Sequence, residues 1–256
     1  MGTIGVLLPI ALFLLANFQF VIAQDWLKTS KEELLKLRND VNSYESKKSD
    51  IVFLVDTSGS LWTGDFDEEK KFVMNLLNEI SVGNQATRVE VIPFGETASK
   101  FIDQISAPTL PTNKCTFNKK FKPMDQSING WKTNMKDAFE LAWEVCLNNG
   151  LKRSGQIKTV VMLLTDGYWN LRSLVSDPDK YAFKLKDFTE FGELATYIRG
   201  DPYEAVWQVD GVDPSECNNN CDVKAQCACG LVYGDYKCGC FKGYAGSGLV
   251  GQCHGK

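Results

Sequence analysis

The sequence predicts an α/β fold with a doubly wound, mostly parallel sheet, followed by a small disulfide-rich module. The first observation is a pair of segments that contain an apolar run, residues 51–55 and 158–165, each of which leads into a carboxylate. Uninterrupted runs of this kind are typical of parallel strands that are buried on both faces. The second is an amphipathic helical pattern between the two runs. The third is that seven of the nine cysteines lie between residues 217 and 253.

The first 23 residues have the features of a secretory signal peptide. They contain no charged side chain, and an apolar run from Val6 to Phe20 is followed by the small residue Ala23. We therefore predict cleavage before Gln24 and export of the chain, with an uncleaved anchor helix as the alternative. No later apolar run is long enough to span a bilayer, so we expect no membrane span in the mature chain.

The elements between these features follow from local patterns. Residues 24–49 form a charged leader with one narrow leucine stripe, which predicts a short helix; a coil that binds a partner is the alternative. An amphipathic helix is predicted for residues 66–80, a buried strand for 88–94 and an edge strand for 98–102. Three prolines between residues 107 and 128 indicate a loop.

Three oxygen-bearing side chains follow the first apolar run: Asp56, Ser58 and Ser60. In open α/β sheets ligands bind beyond the carboxyl ends of the strands, which is where these residues fall. One carboxylate and two hydroxyls are hard ligands that suit Mg²⁺, Mn²⁺ or Ca²⁺ better than zinc. The simpler interpretation is a Ser/Gly turn that caps the next helix.

Two later segments favour the metal interpretation. Thr133 lies at the start of a predicted helix whose apolar face runs from Met135 to Cys146, and Asp166 ends the second apolar run. The five oxygen-bearing residues together resemble the metal-ion-dependent adhesion site of the von Willebrand factor type A domain. The pattern of that site is Asp-x-Ser-x-Ser, then a distant Thr, then an Asp after a later strand.

This resemblance implies how the site works. Ser58, Ser60 and Thr133 bind a divalent cation, with Mg²⁺ the first choice, through their hydroxyls. Asp56 and Asp166 act directly or through water. One coordination position is left for an Asp or Glu side chain of an extracellular partner protein.

The chain also resembles a family of large secreted proteins that combine sushi, von Willebrand factor type A, EGF and pentraxin domains. The likeness includes residues 50–60, 86–94 and 163–168. After the last of these segments, an A domain has one helix and one strand for which this chain has no residues. The final strand, predicted at residues 181–185, then either pairs directly beside the strand at 158–165 or leaves the sheet edge incomplete.

The cysteine spacing predicts two sets of bridges. Cys115 and Cys146 are the only cysteines of the predicted A domain, and an oxidising export route favours a bridge between them; two free thiols are the alternative. Six cysteines of residues 217–253 resemble an EGF-like module, which is too small to be held by a core alone. That resemblance implies the pairs Cys217–Cys227, Cys221–Cys238 and Cys240–Cys253. Cys229 is unmatched, and could pair between chains, replace Cys227 or stay free.

Neither catalysis nor nucleic-acid binding is favoured by the sequence. Hydrolases of the haloacid dehalogenase type need a second Asp two residues after the first, where this chain has Ser58. The chain has no Gly-x-Ser-x-Gly motif, and its single histidine, His254, lies beside a cysteine near the end. The formal net charge is −4 and the basic residues are scattered, so no nucleic-acid surface is predicted.

The predicted organisation is a signal peptide at 1–23, a helical leader at 24–49, an A domain at 50–200, a linker at 201–216 and an EGF-like module at 217–253. It predicts a non-enzymatic, secreted protein of the extracellular matrix that binds matrix or cell-surface proteins through a metal-ion-dependent adhesion site. The alternative is a structural matrix component that is assembled through disulfides and has no functional metal site.

Overall fold

The computed structural model of the chain describes residues 18–23, 49–78, 80–107, 111–147, 157, 159–165, 182–183, 208, 211–229 and 236–255. For residues 18–23, 147 and 182–183 it describes the backbone alone. Most of the predicted leader lies outside the described residues, as does the segment 166–181 with Asp166.

A six-stranded sheet forms the centre of the chain. Its strands are β1 (Phe18–Ala23), β2 (Asp50–Asp56), β3 (Arg88–Phe94), β4 (Ile102–Asp103), β5 (Thr159–Leu164) and β6 (Ala182–Phe183). Their order across the sheet is β4, β3, β2, β5, β1, β6, and β4 runs antiparallel to β3 while the other pairings are parallel. Every residue of β2 is buried, as expected for a central parallel strand.

Within the described residues, three α-helices cover the two faces of this sheet. They are α1 (Thr63–Asn78), α2 (Lys114–Phe121) and α3 (Met135–Leu147). Side chains alternate along β2, so Phe53 packs with α1 and α2 while Leu54 packs with α3. Helices on both faces of a mostly parallel sheet confirm the predicted doubly wound α/β class. None of the described helices combines the length and the apolar character that crossing a bilayer requires.

Helix α2 lies in the segment predicted as a loop, so that prediction is wrong there. The side chain of Asn113 accepts hydrogen bonds from the N–H groups of Cys115 and Thr116, and the Asn113 N–H donates to the Thr116 hydroxyl. This reciprocal cap satisfies N–H groups that a helix start otherwise leaves unpaired. Phe117 and Phe121 bury the apolar side of the helix against the sheet. Cap and burial together outweigh the loop signal of the nearby prolines.

Strand β1 lies inside the segment predicted as a signal peptide. It pairs in parallel with β5, from Phe18 opposite Thr159 to Ala23 opposite Leu164, and its other edge pairs with β6. The predicted strand at residues 181–185 is present as β6, but β1 separates it from β5, so the alternative in which it pairs directly beside β5 is wrong. Cleavage before Gln24 stays a prediction, and a cleaved chain would lack β1.

The C-terminal module consists of short antiparallel pairs held by disulfides. Its strands are β7 (Ala225–Cys229), β8 (Tyr236–Cys240), β9 (Tyr244–Ala245) and β10 (His254–Gly255), paired as β7 with β8 and β9 with β10. Its internal bridges are Cys217–Cys227, Cys221–Cys238 and Cys240–Cys253. This is the pairing that the resemblance to an EGF-like module implied.

The remaining bridge joins Cys115 to Cys229, whose Cα atoms are 5.7 Å apart, and Cys146 is a free thiol. The predicted Cys115–Cys146 bridge is therefore wrong. Cys115 belongs to α2, which packs on one face of the sheet, whereas Cys146 belongs to α3 on the opposite face. The sheet itself separates the two thiols.

The C-terminal module contacts the chain at the amino end of the sheet. The Oε1 atom of Gln208 accepts hydrogen bonds from the N–H groups of Val82 at 3.0 Å and Lys114 at 3.1 Å. The backbone of Gln208 pairs in turn with Cys229 of β7. Together with the Cys115–Cys229 bridge, these contacts fix the module against the start of α2.

Candidate functional site

Asp56 lies at the carboxyl end of β2, the edge of the sheet predicted to bind a cation. Its carboxylate is fully buried, and Oδ1 accepts a hydrogen bond from the N–H of Ser58 at 2.8 Å. Oδ2 accepts a hydrogen bond from the hydroxyl of Thr165, which directly follows β5, at 2.5 Å. Because β2 and β5 are adjacent parallel strands, their carboxyl ends bring these groups together.

The turn after β2 places two hydroxyls side by side. The Oγ atoms of Ser58 and Ser60 are 3.0 Å apart; Ser58 is buried, whereas Ser60 is exposed. The side chain of Gln126 donates hydrogen bonds to the carbonyls of Ser58 at 3.1 Å and Leu61 at 2.7 Å. Gln126 therefore holds both sides of the turn in place.

The loop before α3 packs on this turn. The N–H of Gly59 donates to the carbonyl of Trp131 at 2.9 Å, and a Cβ at Gly59 would lie 2.7 Å from Cε3 of the Trp131 indole. A side chain at residue 59 would therefore displace the Trp131 indole. At the other end of the loop, the N–H of Asn134 donates to the carbonyl of Gly95 at 2.7 Å. Thr133 lies beside this second anchor and is exposed.

Four of the five predicted ligand residues are described, and all four lie at this end of the sheet. The Asp-x-Ser-x-Ser residues form one hydrogen-bonded turn, and Thr133 is on the loop that packs against it. Asp166 lies outside the described residues. Thr165 and Gln126 also contact the turn but were not among the predicted site residues. Thr165 had a signal, because it lies at the end of a strand next to Asp166, whereas Gln126 meets a turn more than sixty positions away with no local pattern.

The donor set of this turn suits a small, hard cation. Carboxylate and hydroxyl oxygens are the ligands that Mg²⁺ prefers, in an octahedron with metal–oxygen distances of about 2.0–2.1 Å. Adjacent oxygens of such an octahedron are about 3 Å apart. The hydroxyl oxygens of Ser58 and Ser60 are separated by 3.0 Å, which fits this spacing and also fits a hydrogen bond between them. A cation bound by both hydroxyls would take the place of that hydrogen bond.

Among the described residues, the cysteines supply no thiolate for catalysis or for a metal. The sulfur atoms of Cys217, Cys221 and Cys238 lie close together, but all three are in disulfides and supply no thiolate for a metal. Burial, reinforced by nearby carboxylates, raises the pKa of the Cys146 thiol to about 12, so it stays protonated. His254 is exposed in β10.

Comparison with known proteins identifies the domain that contains this site. The family model of the von Willebrand factor type A domain matches residues 50–187. The match includes the turn after β2, the loop before α3 and the end of β5.

Two individual relatives share less than a third of their residues with this chain over the aligned segments. "Sushi, von Willebrand factor type A, EGF and pentraxin domain-containing protein 1" of Mus musculus is 28% identical over 249 residues, which cover 80% of this chain and 7% of that protein. Matrilin-2 of Mus musculus is 26% identical over 127 residues, 49% of this chain and 13% of the matrilin. The solved structure of proximal thread matrix protein 1 from the mussel byssus aligns with a TM-score of 0.47 and 20% identity, covering 59% of this chain and 45% of the other. The chain thus spans less than a tenth of the first relative's length.

Proposed function

Because the chain belongs to the von Willebrand factor type A domain family, we propose that it is a secreted adhesion or matrix protein that binds a protein partner through a divalent cation. The observation that carries this proposal is the turn after β2. There a buried carboxylate supports two hydroxyl oxygens 3.0 Å apart at the carboxyl end of the sheet. Such an oxygen-only donor set suits binding of a cation and lacks the acid and base of a hydrolase.

The proposed roles of the residues differ. Ser58 and Ser60 bind the cation directly through their hydroxyls. Asp56 acts mainly as a support, because both of its carboxylate oxygens already accept hydrogen bonds, and it contributes negative charge. Thr133 and Asp166 complete the protein's share of the ligands, as the resemblance implies. Mg²⁺ is the first choice, with Mn²⁺ and Ca²⁺ as alternatives, and the bound cation supplies the positive charge that attracts a partner's carboxylate.

Chemistry outside the site supports an extracellular location. Eight of the nine cysteines are bridged, and such bonds form and persist in oxidising compartments. The apolar amino-terminal segment is predicted as an export signal, and its uncleaved form, the alternative given above, keeps β1 in the folded chain. The proposed partner is a matrix or cell-surface protein that presents an Asp or Glu side chain.

Cation binding by the full chain tests the proposal. After treatment with EDTA, the chain is titrated with Mn²⁺, and free Mn²⁺ is measured by electron paramagnetic resonance. We expect the Asp56→Asn variant and the Ser58→Ala, Ser60→Ala double variant each to weaken Mn²⁺ binding by about tenfold or more.

Matched controls separate the site from general charge and hydroxyl effects. Asp67→Asn removes an exposed carboxylate on α1, and Ser247→Ala removes an exposed hydroxyl in the C-terminal module. Both controls should bind Mn²⁺ as the unaltered chain does. Equal affinity of all variants, including Asp56→Asn, would contradict the proposal.

The alternative function, a matrix component assembled through disulfides between chains, depended on Cys229 being available for such a bond. Cys229 was the unmatched cysteine of the C-terminal module, and it is bonded to Cys115 of the same chain. The free thiol, Cys146, is partly buried and its pKa is raised to about 12, so it is a poor nucleophile for exchange between chains.

A further inference from the structure

Two tryptophans next to the proposed cation site are unusually exposed. Trp62 is 80% exposed and Trp131 is 66% exposed. Trp62 follows the Ser58–Ser60 turn by two residues, and Trp131 lies in the loop that packs on that turn. Both indoles therefore belong to the carboxyl end of the sheet, where the proposed cation site lies.

The backbones that carry these two indoles are fixed by hydrogen bonds. The carbonyl of Trp131 accepts the N–H of Gly59, and its ring lies against the glycine backbone. The carbonyl of Trp62 accepts the N–H groups of Asp65 and Phe66 at the start of α1, at 2.9 and 3.1 Å. The indoles are thus presented on anchored loops, which limits the entropy lost when a partner orders them.

Most of the surface of both indoles is exposed, so it adds little buried apolar area to the fold of the chain alone. A buried aromatic side chain removes about 150–250 Å² from water, and aromatic residues are enriched at the centres of protein interfaces. Ile128, in the short 3₁₀ helix Gln126–Asn129 that precedes the same loop, adds a further partly exposed apolar side chain. Burial by a partner would recover this apolar area.

The cationic side chain next to Trp131 already has an acidic partner. Lys132, next to Trp131, forms an ion pair with Glu96 at 2.6 Å. A second acidic group on a partner would be repelled by Glu96 while it approached Lys132. An apolar group would pack on the indoles without this repulsion. The surroundings of the site therefore favour one acidic side chain with apolar neighbours.

We propose that Trp62 and Trp131 form the apolar walls of the partner site, and that they select a segment whose Asp or Glu is flanked by apolar side chains. This inference rests on the proposed function, because the acidic side chain binds the cation while the flanking side chains pack on the indoles. It adds the chemical class of the partner segment, which the cation alone does not specify.

A peptide selection tests both statements. Random heptapeptides displayed on phage are selected on the full chain in Mg²⁺ and released with EDTA. We expect the released peptides to be enriched in Asp or Glu next to Leu, Phe, Met or Trp. For one enriched peptide, the Trp62→Ser, Trp131→Ser double variant should raise the Kd about tenfold, while Mn²⁺ affinity stays unchanged.

The control is the Val223→Ser, Val250→Ser double variant, which removes two exposed apolar side chains of the C-terminal module, 93% and 68% exposed. It should bind the peptide as the unaltered chain does. If the Trp131 change lowers the melting temperature, because its ring covers Gly59, Trp62→Ser alone decides, since its ring has little packing to lose.

The outcomes separate the two proposals. Acidic peptides without apolar enrichment, or unchanged binding to the tryptophan variants, would overturn this inference and leave the proposed function standing. Absence of any peptide that depends on Mg²⁺ would overturn the proposed function and the inference with it.

Discussion

The two ends of the central sheet differ in what they expose to solvent. At the amino end, Arg88 and Asp50 form a buried ion pair in which Nε and Oδ1 are 2.8 Å apart and a second N–H meets Oδ2. At the carboxyl end, Ser60, Trp62 and Trp131 face solvent. A charged pair is thus buried at the first end, whereas a hydroxyl and two indoles are exposed at the second.

The C-terminal module contacts the amino end of the sheet. Its bridge to α2 and its contacts through Gln208 lie at the amino end, near the start of β3. Strand β2 alone separates the two ends by about 20 Å. The module therefore stabilises one end and leaves the other accessible to a partner, so stability and binding depend on different residues.

The largest expected effect concerns β1, which completes the sheet beside β5. A chain that begins at Gln24 lacks this strand and leaves the edge of β5 unpaired. We expect the cooperative thermal transition of the full chain, followed by circular dichroism, to be lost in the shortened chain. A chain without residues 2–10, which precede β1, is the control and should keep the transition. Equal transitions in all three chains would show that another segment fills the place of β1, as cleavage of a signal peptide requires.

The next effect contrasts an ion pair at each end. Arg88→Ala leaves the buried Asp50 carboxylate without this partner, and we expect the free energy of unfolding in urea to fall by about 3–5 kcal/mol. Lys132→Ala breaks the exposed pair with Glu96 at the other end and should cost about 1 kcal/mol or less. Similar losses from both variants would mean that the two ends are not built differently.

Removal of the bridge between α2 and the module should have a somewhat smaller effect. The Cys115→Ser, Cys229→Ser double variant opens a loop with a sequence separation of 114, and we expect a loss of about 2–4 kcal/mol in the free energy of unfolding. Mn²⁺ affinity should be unchanged, since the bridge lies at the end away from the site. Cys146→Ser, which removes the free thiol, is the control. A Cys115–Cys146 peptide in a non-reducing digest would contradict the structure.

The smallest expected effect is a pH dependence from Glu90 in β3. Its side chain is fully buried and accepts hydrogen bonds from the N–H of Ile105 at 3.0 Å and the hydroxyl of Ser106 at 3.1 Å. Burial, followed by the charge of Asp103, raises the pKa of Glu90 from 4.5 to about 7. Between these values the folded chain holds a proton that the unfolded chain has lost. Stability from this group is therefore complete below the unfolded pKa and is lost as the pH rises through about 7.

Urea denaturation at pH 5 and pH 8 measures this dependence. The contribution of Glu90 to the decrease in unfolding free energy amounts to at most about 3 kcal/mol. Glu90→Gln cannot ionise, so its decrease between the two pH values should be smaller than that of the unaltered chain. Glu96→Gln, an exposed carboxylate on the next loop, is the control and should leave the decrease unchanged. An identical decrease in Glu90→Gln would assign the pH dependence to other groups.

Local pattern was sufficient for the strands and helices around the site. The run that ends at Asp56 predicted β2, and the spacing from Met135 to Cys146 predicted α3. Each prediction held because the apolar residues of a strand or a helix recur at the spacing that places them on its buried surface. The Asp-x-Ser-x-Ser turn was predictable for the same reason, since its hydrogen bond joins residues only two positions apart. Gln126 was not, because its partners at the turn belong to a distant segment.

The sequence by itself determined the α/β class, the turn that carries Asp56, Ser58 and Ser60, and the presence of a cysteine-rich module. Only the tertiary structure decided that Cys115 pairs with Cys229 and that residues 18–23 fill the place beside β5. The physical reason is that spacing along the chain fixes which side chains share a face. The packing of these faces decides which distant cysteine or strand becomes a neighbour. Here the sheet lies between α2 and α3, so it excluded the Cys115–Cys146 pair, which is nearer in sequence than Cys115–Cys229.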